Sequence, residues 1–284
     1  MPLTDNSDFF VRFWGVRGSI ACPGAETARY GGNTSCLEVR CGDALLIFDA
    51  GTGIRELGAA LDIEAKEAGR PIDADLLFTH THLDHVCGLP FFSSLYCADN
   101  RFRLAAGHLE STRSLHDVLG DMMTPPLFPV PLGIFSADMS YTDFTSGENR
   151  TPGPGITVRT APLNHPNEAT GYRVEFGGRS ICYVTDTEHV PGQPNESILA
   201  LIDGADLFIY DATYTDDEFA GHVGWGHSTW EEGARLADAA GVKTYVPFHH
   251  DPGHDDNFMD QVAAAAEARR PGTVVAREGL VLRP

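Results

Sequence analysis

Lysine is nearly missing from this chain. Two, Lys66 and Lys243, stand among 284 residues, and lysine and arginine together reach only 20 against 40 carboxylates, for a formal net charge of −20. Proteins that hold long polyanions neutralise phosphates with Lys and Arg, so this balance argues against a long nucleic-acid footprint. A small anionic substrate stays open, because bound metal ions would bring positive charge to one point. Read by itself, the acidity also serves solubility. Cysteine is scarce as well: six, at positions 22, 36, 41, 87, 97 and 182, with no C-x-x-C pair. Free thiols in a reducing, cytoplasmic setting are the expectation. No run approaches the ~20 apolar residues of a membrane span. The opening MPLTDNSDFF lacks the basic start and apolar stretch of a secretory signal.

What is present is enough to build a large core. Hydrophobic residues make up 42% of the chain, and its 30 glycines and 18 prolines are spread rather than clustered. Neither a composition break nor a fixed-period repeat appears, so one domain over residues 1–284 is the simplest reading. Strand-like runs recur at Phe10–Phe13, Ser35–Arg40, Leu45–Phe48, Leu76–Phe78, Arg103–Ala105, Ile156–Thr160, Tyr172–Phe176, Ile181–Val184, Leu207–Tyr210 and Thr244–Pro247. Helical patterns cover Ile54–Ala68, Ser111–Leu119, Trp230–Ala240 and Asp256–Arg269. Strands in two groups with helices inserted predict an α+β fold: two sheets packed face to face, with helices outside. The Pro-rich stretch Met122–Phe135 reads either as a buried connection or as a wall over a pocket.

The sharpest feature is FTHTHLDH at 78–85, directly after an apolar run. His80 and His82 are two apart, so in extended chain they project to one side, and Asp84 and His85 follow where the chain would turn. Imidazole and carboxylate together suit a borderline metal such as zinc. Such an H-x-H-x-D-H array arises by chance on the order of once in a thousand chains of this composition. Four groups in one loop cannot fill two metals. Further candidates emerge at the ends of other apolar runs: His165, Asp186 and His249.

The order DAGTG (Asp49–Gly53), THTHLDH, His165, Asp186 and His249 resembles the metallo-β-lactamase superfamily, from about Phe10 to about Asp256. The resemblance implies an αββα sandwich with metals at one edge. A finer resemblance lies in GWGHST (Gly224–Thr229), which is similar to the H-S-T element of the phosphodiesterase branch, that of ribonuclease Z and the small cyclic-phosphate phosphodiesterases. RGSI (Arg17–Ile20) and YGGNTSC (Tyr30–Cys36) belong to the same likeness. Carried over, His80, His82 and His165 would hold one metal, and Asp84, His85 and His249 the other. Asp186 would bridge the two. A metal-bridged hydroxide would attack phosphorus, Asp84 would also orient it, and His227 would stabilise the phosphorane or protonate the leaving oxygen. Asp49 would hold the metal loop by hydrogen bonds. His250 directly follows His249 and competes with it as last ligand.

Departures from the pattern matter too. Ribonuclease Z places a glutamate just before the bridging aspartate to orient the H-S-T histidine; here Cys182–Thr185 occupy that stretch, leaving Glu188 or His189 as substitutes. Twenty residues separate His165 from Asp186, without a long basic insertion for gripping tRNA. The expectation is a metal-dependent hydrolase with two divalent ions, zinc first and manganese or iron compatible, acting on a small or cyclic phosphodiester. No long nucleic-acid partner and no membrane are expected, and the resemblance admits a homodimer. Ester, lactone or thioester hydrolysis on the same metals, or a ligand-sensing module with little turnover, are the alternatives. His108, His116 and His222 read as surface or loop residues, and His254 as a neighbour of the site.

Overall fold

The computed structural model describes residues 9–109 and 113–284. The first eight residues of the opening stretch, and positions 111–112 of the helix expected from Ser111, lie outside them.

Strand formation follows side-chain alternation where one face is covered, and continuous apolarity where both are. β1 (Phe9–Gly15) buries Phe9, Val11 and Phe13 while Phe10, Arg12 and Trp14 face outward. β2 (Cys36–Cys41), β3 (Ala44–Phe48), β4 (Asp73–Phe78), β5 (Arg101–Ala106) and β6 (Asp138–Asp143) extend the same sheet, and the two-residue β12 (Val281–Leu282) closes its far edge in the order β12-β1-β2-β3-β4-β5-β6. The second sheet runs β11-β10-β9-β8-β7, from β7 (Ile156–Leu163), β8 (Ala169–Phe176), β9 (Arg179–Val184), β10 (Leu207–Asp211) and β11 (Thr244–Phe248). β10, at its parallel heart, is buried at every position.

One apolar core lies between the sheets and draws on both, with Phe13, Val39 and Phe48 facing Tyr172, Tyr183 and Phe248. A second core backs the first sheet beneath α1 (Ile54–Ala68) and α3 (Leu115–Met122). A third backs the second sheet beneath α4 (Glu196–Ile202) and α6 (Trp230–Ala239). Helix, sheet, sheet, helix is the αββα order, so the α+β expectation holds. α2 (Leu83–Val86) and α5 (Asp216–Phe219) are single turns near the site, and α7 (Asp256–Arg269) covers the end beside Tyr30. No helix among the described residues is long and apolar enough to cross a membrane.

β6 and β12 had no counterpart among the expected strands. β6 is the edge of its sheet and reads DMSYTD, mostly exposed, so no apolar face announces it. The Met122–Phe135 stretch packs Met123 and Leu132 into the core under α1 and α3 while Leu127 stays exposed, so it is a connection docked on the helical layer.

Directionality places the site. β7 and β9 are both antiparallel to β8, and β9, β10 and β11 are mutually parallel, so these four strands end at one edge. His165, Asp186 and His249 follow the ends of β7, β9 and β11, and Asp211 ends β10. His80 and His82 follow β4 of the opposite sheet. The carboxyl ends of parallel strands are the general location of sites in such sheets.

Candidate metal centre

Two sets of side chains converge at this edge. In one, Nε2 of His80 lies 3.0 Å from Nδ1 of His82, which lies 3.1 Å from Nε2 of His165. Zinc–nitrogen bonds of 2.0–2.1 Å in a tetrahedron put neighbouring ligand atoms about 3.3 Å apart, so this spacing fits one ion. In the other, Nε2 of His85 lies 3.2 Å from Oδ2 of Asp84 and 3.3 Å from Oδ2 of Asp186. Nε2 of His249 lies 3.4 Å and 3.3 Å from the same two oxygens. The two oxygens of Asp186 divide between the sets: Oδ1 stands 3.8 Å from Nε2 of both His80 and His165, and Oδ2 faces His85 and His249.

The donor set fits divalent cations. Nε2 of His85 and of His249 are buried without a hydrogen-bond partner, a costly state unless something else satisfies them. Asp84, Asp186 and Asp211 are buried, and among the described residues their ion-pair partners are imidazoles, with no Lys or Arg. Burial, reinforced by the neighbouring His85, holds His80 well below the usual imidazole range, and burial lowers His165 likewise, which keeps both neutral as ligation requires. For His85, burial pulls the same way but is outweighed by Asp84, Asp186 and Asp49, so it sits well above that range.

The ring orientations are set from behind. Asp49, completely buried, accepts from Thr79 N–H at 2.8 Å and from the Tyr183 hydroxyl at 2.9 Å, and is hydrogen-bonded to His85 Nδ1 at 2.9 Å. The Thr79 hydroxyl reaches Asp49 at 3.0 Å and His80 Nδ1 at 3.1 Å. His165 Nδ1 is tied to the Gly226 carbonyl at 2.7 Å. Gly226 has φ +85°, and a Cβ there would sit 2.3 Å from His165 Nδ1, so both its conformation and its closeness require glycine. In each case the outer nitrogen is bonded and Nε2 is left for the centre.

His227 stacks on His249 with ring centroids 5.0 Å apart, and its Nδ1 is hydrogen-bonded to Asp211 Oδ2 at 3.0 Å. Burial depresses His227, but Asp211, then Asp186 and Asp84, override it and push the imidazole up to about 9. Asp211 also accepts from the Thr213 hydroxyl at 2.7 Å, and that hydroxyl lies 3.0 Å from His249 Nδ1. One carboxylate thus backs both rings. The substitutes expected for the orienting glutamate do other work. Glu188 accepts from the N–H groups of Gly224 and Gly226 at 2.7 and 2.9 Å, clamping the GWGHST loop, and His189 is tied to the Ser228 hydroxyl at 2.8 Å. Both side chains are committed there, and Asp211 takes the place next to His227. His250 turns away to the Ala276 carbonyl at 2.8 Å.

Asp211 was missed in the sequence, although it ends the run Leu207–Tyr210 as Asp186 follows Ile181–Val184. His108 lies in the bend after β5, a loop residue as expected but a buried one, with Nε2 3.0 Å from the Thr81 hydroxyl. His116 is exposed, and His222 stacks on Tyr214. His254 is bonded to Glu218 at 2.9 Å.

A family model described as the beta-lactamase superfamily domain matches residues 45–250. Ribonuclease Z of Haloarcula marismortui is 26% identical over 317 residues, covering 96% of each chain. The metallo-beta-lactamase fold protein YhfI of Bacillus subtilis superposes with a TM-score of 0.71 at 18% identity, covering 96% of this chain and 99% of that one. Zn(2+)-bound PqqB of Methylobacterium extorquens gives 0.68 at 21%, covering 96% and 99%. With two sheets in αββα order, a His/Asp centre at their edge and a family match across most of its length, this chain belongs to the metallo-β-lactamase superfamily, on the side that ribonuclease Z represents.

Proposed function

We propose that this protein is a binuclear metal-dependent phosphodiesterase acting on a small or cyclic phosphodiester. The observation that carries the reading is the divided Asp186 carboxylate, one oxygen toward each set of imidazoles, with the Asp211-backed His227 beside it. His80, His82 and His165 would hold one ion, Asp84, His85 and His249 the other, with Asp186 between them. Two divalent cations, zinc first and manganese or iron compatible, supply when bound Lewis acidity toward phosphoryl oxygens and a water of lowered pKa. His227 presents the ring nitrogen that its Asp211 bond leaves over. As an imidazolium it binds a developing phosphorane oxygen and gives its proton to the departing alkoxide, while Asp211 stabilises the charge it carries. Asp84 accepts from the Ser19 N–H through Oδ2 at 2.8 Å, which fixes the carboxylate that orients the attacking water.

Two features favour a small substrate. His165 and Asp186 are joined by β8, a tight turn and β9, with no arm projecting between them. The net charge of −20 disfavours a long polyanion. The ribonuclease Z relative carries a second reading, an RNA substrate. The six cysteines are all free, which supports a reducing, cytoplasmic setting. Turnover of bis(p-nitrophenyl) phosphate and of cyclic nucleotides by metal-loaded protein, set beside a structured RNA and a lactone panel, tests these readings. Phosphodiester turnover well above the lactones is expected. RNA cleavage outpacing the small diesters would move the substrate class, and failure to bind any metal would sink the proposal.

A further inference from the structure

RGSI and YGGNTSC contribute no member of the proposed ligand set, yet the fold draws both into the centre. Arg17 is fully buried, at 0% exposure. Its Nε donates to the Gly31 carbonyl at 2.8 Å, and its Nη1 to the carbonyls of Asp251 and His254 at 3.0 and 2.6 Å. Burying a guanidinium is costly, and among the described residues its hydrogen bonds all go to backbone carbonyls, on the Tyr30–Cys36 stretch and on the loop just after His249. The main chain adds a second grip. His250 N–H donates to Val16 O at 2.9 Å and Gly18 N–H donates to His250 O at 3.1 Å, while Val16 and Arg17 N–H both donate to Asn33 O at 2.9 Å.

The next two residues reach the centre itself. A Cβ on Gly18 would stand 2.3 Å from Cε1 and 2.4 Å from Nδ1 of His249, so the imidazole packs directly against bare backbone. Ser19 takes a left-handed conformation, φ +61°, that aims its N–H at Asp84 Oδ2, 2.8 Å away. His249 itself has φ +62°, a conformation that persists in a non-glycine residue only where its surroundings enforce it. Hydrogen bonds from residues 16–18 hold the chain immediately beyond it. His80, His82 and His165 receive none of these contacts.

We propose that Arg17–Ser19 is a positioning strap for one half of the centre: it sets the Asp84 carboxylate and the His249 ring, so that the Asp84–His85–His249 site depends on it and the His80–His82–His165 site does not. This rests on the binuclear reading above. Arg17 anchors the loop, Gly18 makes room for the ring, and Ser19 fixes the oxygen. Positioning partners of metal ligands typically affect metal affinity by about 10–100-fold.

The test is zinc stoichiometry. Wild type, Gly18→Ala, Arg17→Lys and the control Gly120→Ala, whose added Cβ meets nothing within 4 Å, are stripped with chelator, checked by near-UV circular dichroism and titrated with zinc by calorimetry, with metal per chain read by mass spectrometry. Two tight ions are expected for wild type and the control. One tight ion, and a second weakened by about tenfold or more, is expected for Gly18→Ala and for Arg17→Lys, whose ammonium cannot span the three carbonyls. Should Gly18→Ala fail to fold, Arg17→Lys carries the test. Two ions bound as tightly as in wild type would overturn the strap, and so would equal weakening of both sites in a folded variant. A wild type that takes up one ion or none instead defeats the binuclear reading.

Discussion

Asp211 and His227 form a pair in which the aspartate does three things: it fixes the ring, holds its charge, and reaches His249 through Thr213. Residues that act as a unit are not additive when removed. His227→Ala is expected to lower phosphodiester kcat by about 10²–10⁴ at unchanged zinc content, and Asp211→Asn by a comparable factor per bound metal. The double variant should lie close to the more damaged single one; additive losses in steady-state assays would show two independent roles. His227 was legible because GWGHST is a compact pattern. Asp211 was not, because it is a single aspartate sixteen residues before His227 and only the placement of β10 between β9 and β11 brings it under that ring.

At the scale of elements, the recurring device is a strand that stops and turns sharply at the site. Asp49 after β3, Asp186 after β9 and His249 after β11 all have left-handed backbones, with φ of 61°, 57° and 62°. Conformations of this sort cluster where function over-determines the chain. Apolar runs marked the strands, but the conformation of the residue beyond each depends on what it packs against and left no local trace. α6 offers a pH prediction. Burial first, then Asp216, pushes Glu231 in its first turn up to about 7. A carboxyl raised on folding contributes stability below its unfolded pKa of about 4.3 that is lost as pH rises through 7. Denaturant midpoints of wild type should therefore fall between pH 4.5 and 7.5 more steeply than those of Glu231→Gln; parallel profiles would contradict this.

At the scale of the whole molecule, the candidate centre spans the two sheets, since His80, His82, Asp84 and His85 come from the first and His165, Asp186 and His249 from the second, so bound metal would fasten them together. Metal that binds only the folded protein should stabilise it by about 2.7 kcal/mol per site at a hundred times Kd. Chelation is expected to lower Tm by several degrees and added zinc to restore it, while a Tm indifferent to both would mean that the centre is not a fastening. Sequence by itself determined the two groups of strands with helices outside and the histidines and aspartates proposed as ligands, because apolar runs and the H-x-H-x-D-H spacing are local patterns that survive in one dimension; the αββα expectation came from the family resemblance those motifs carry. Only the tertiary structure decided that Asp186 faces two ways, that Asp211 rather than Glu188 or His189 stands behind His227, and that His249 points in where His250 points out. These are matters of which way a side chain turns at the end of a strand. The neighbouring strand and the Arg17–Ser19 backbone impose that choice from residues far away in sequence.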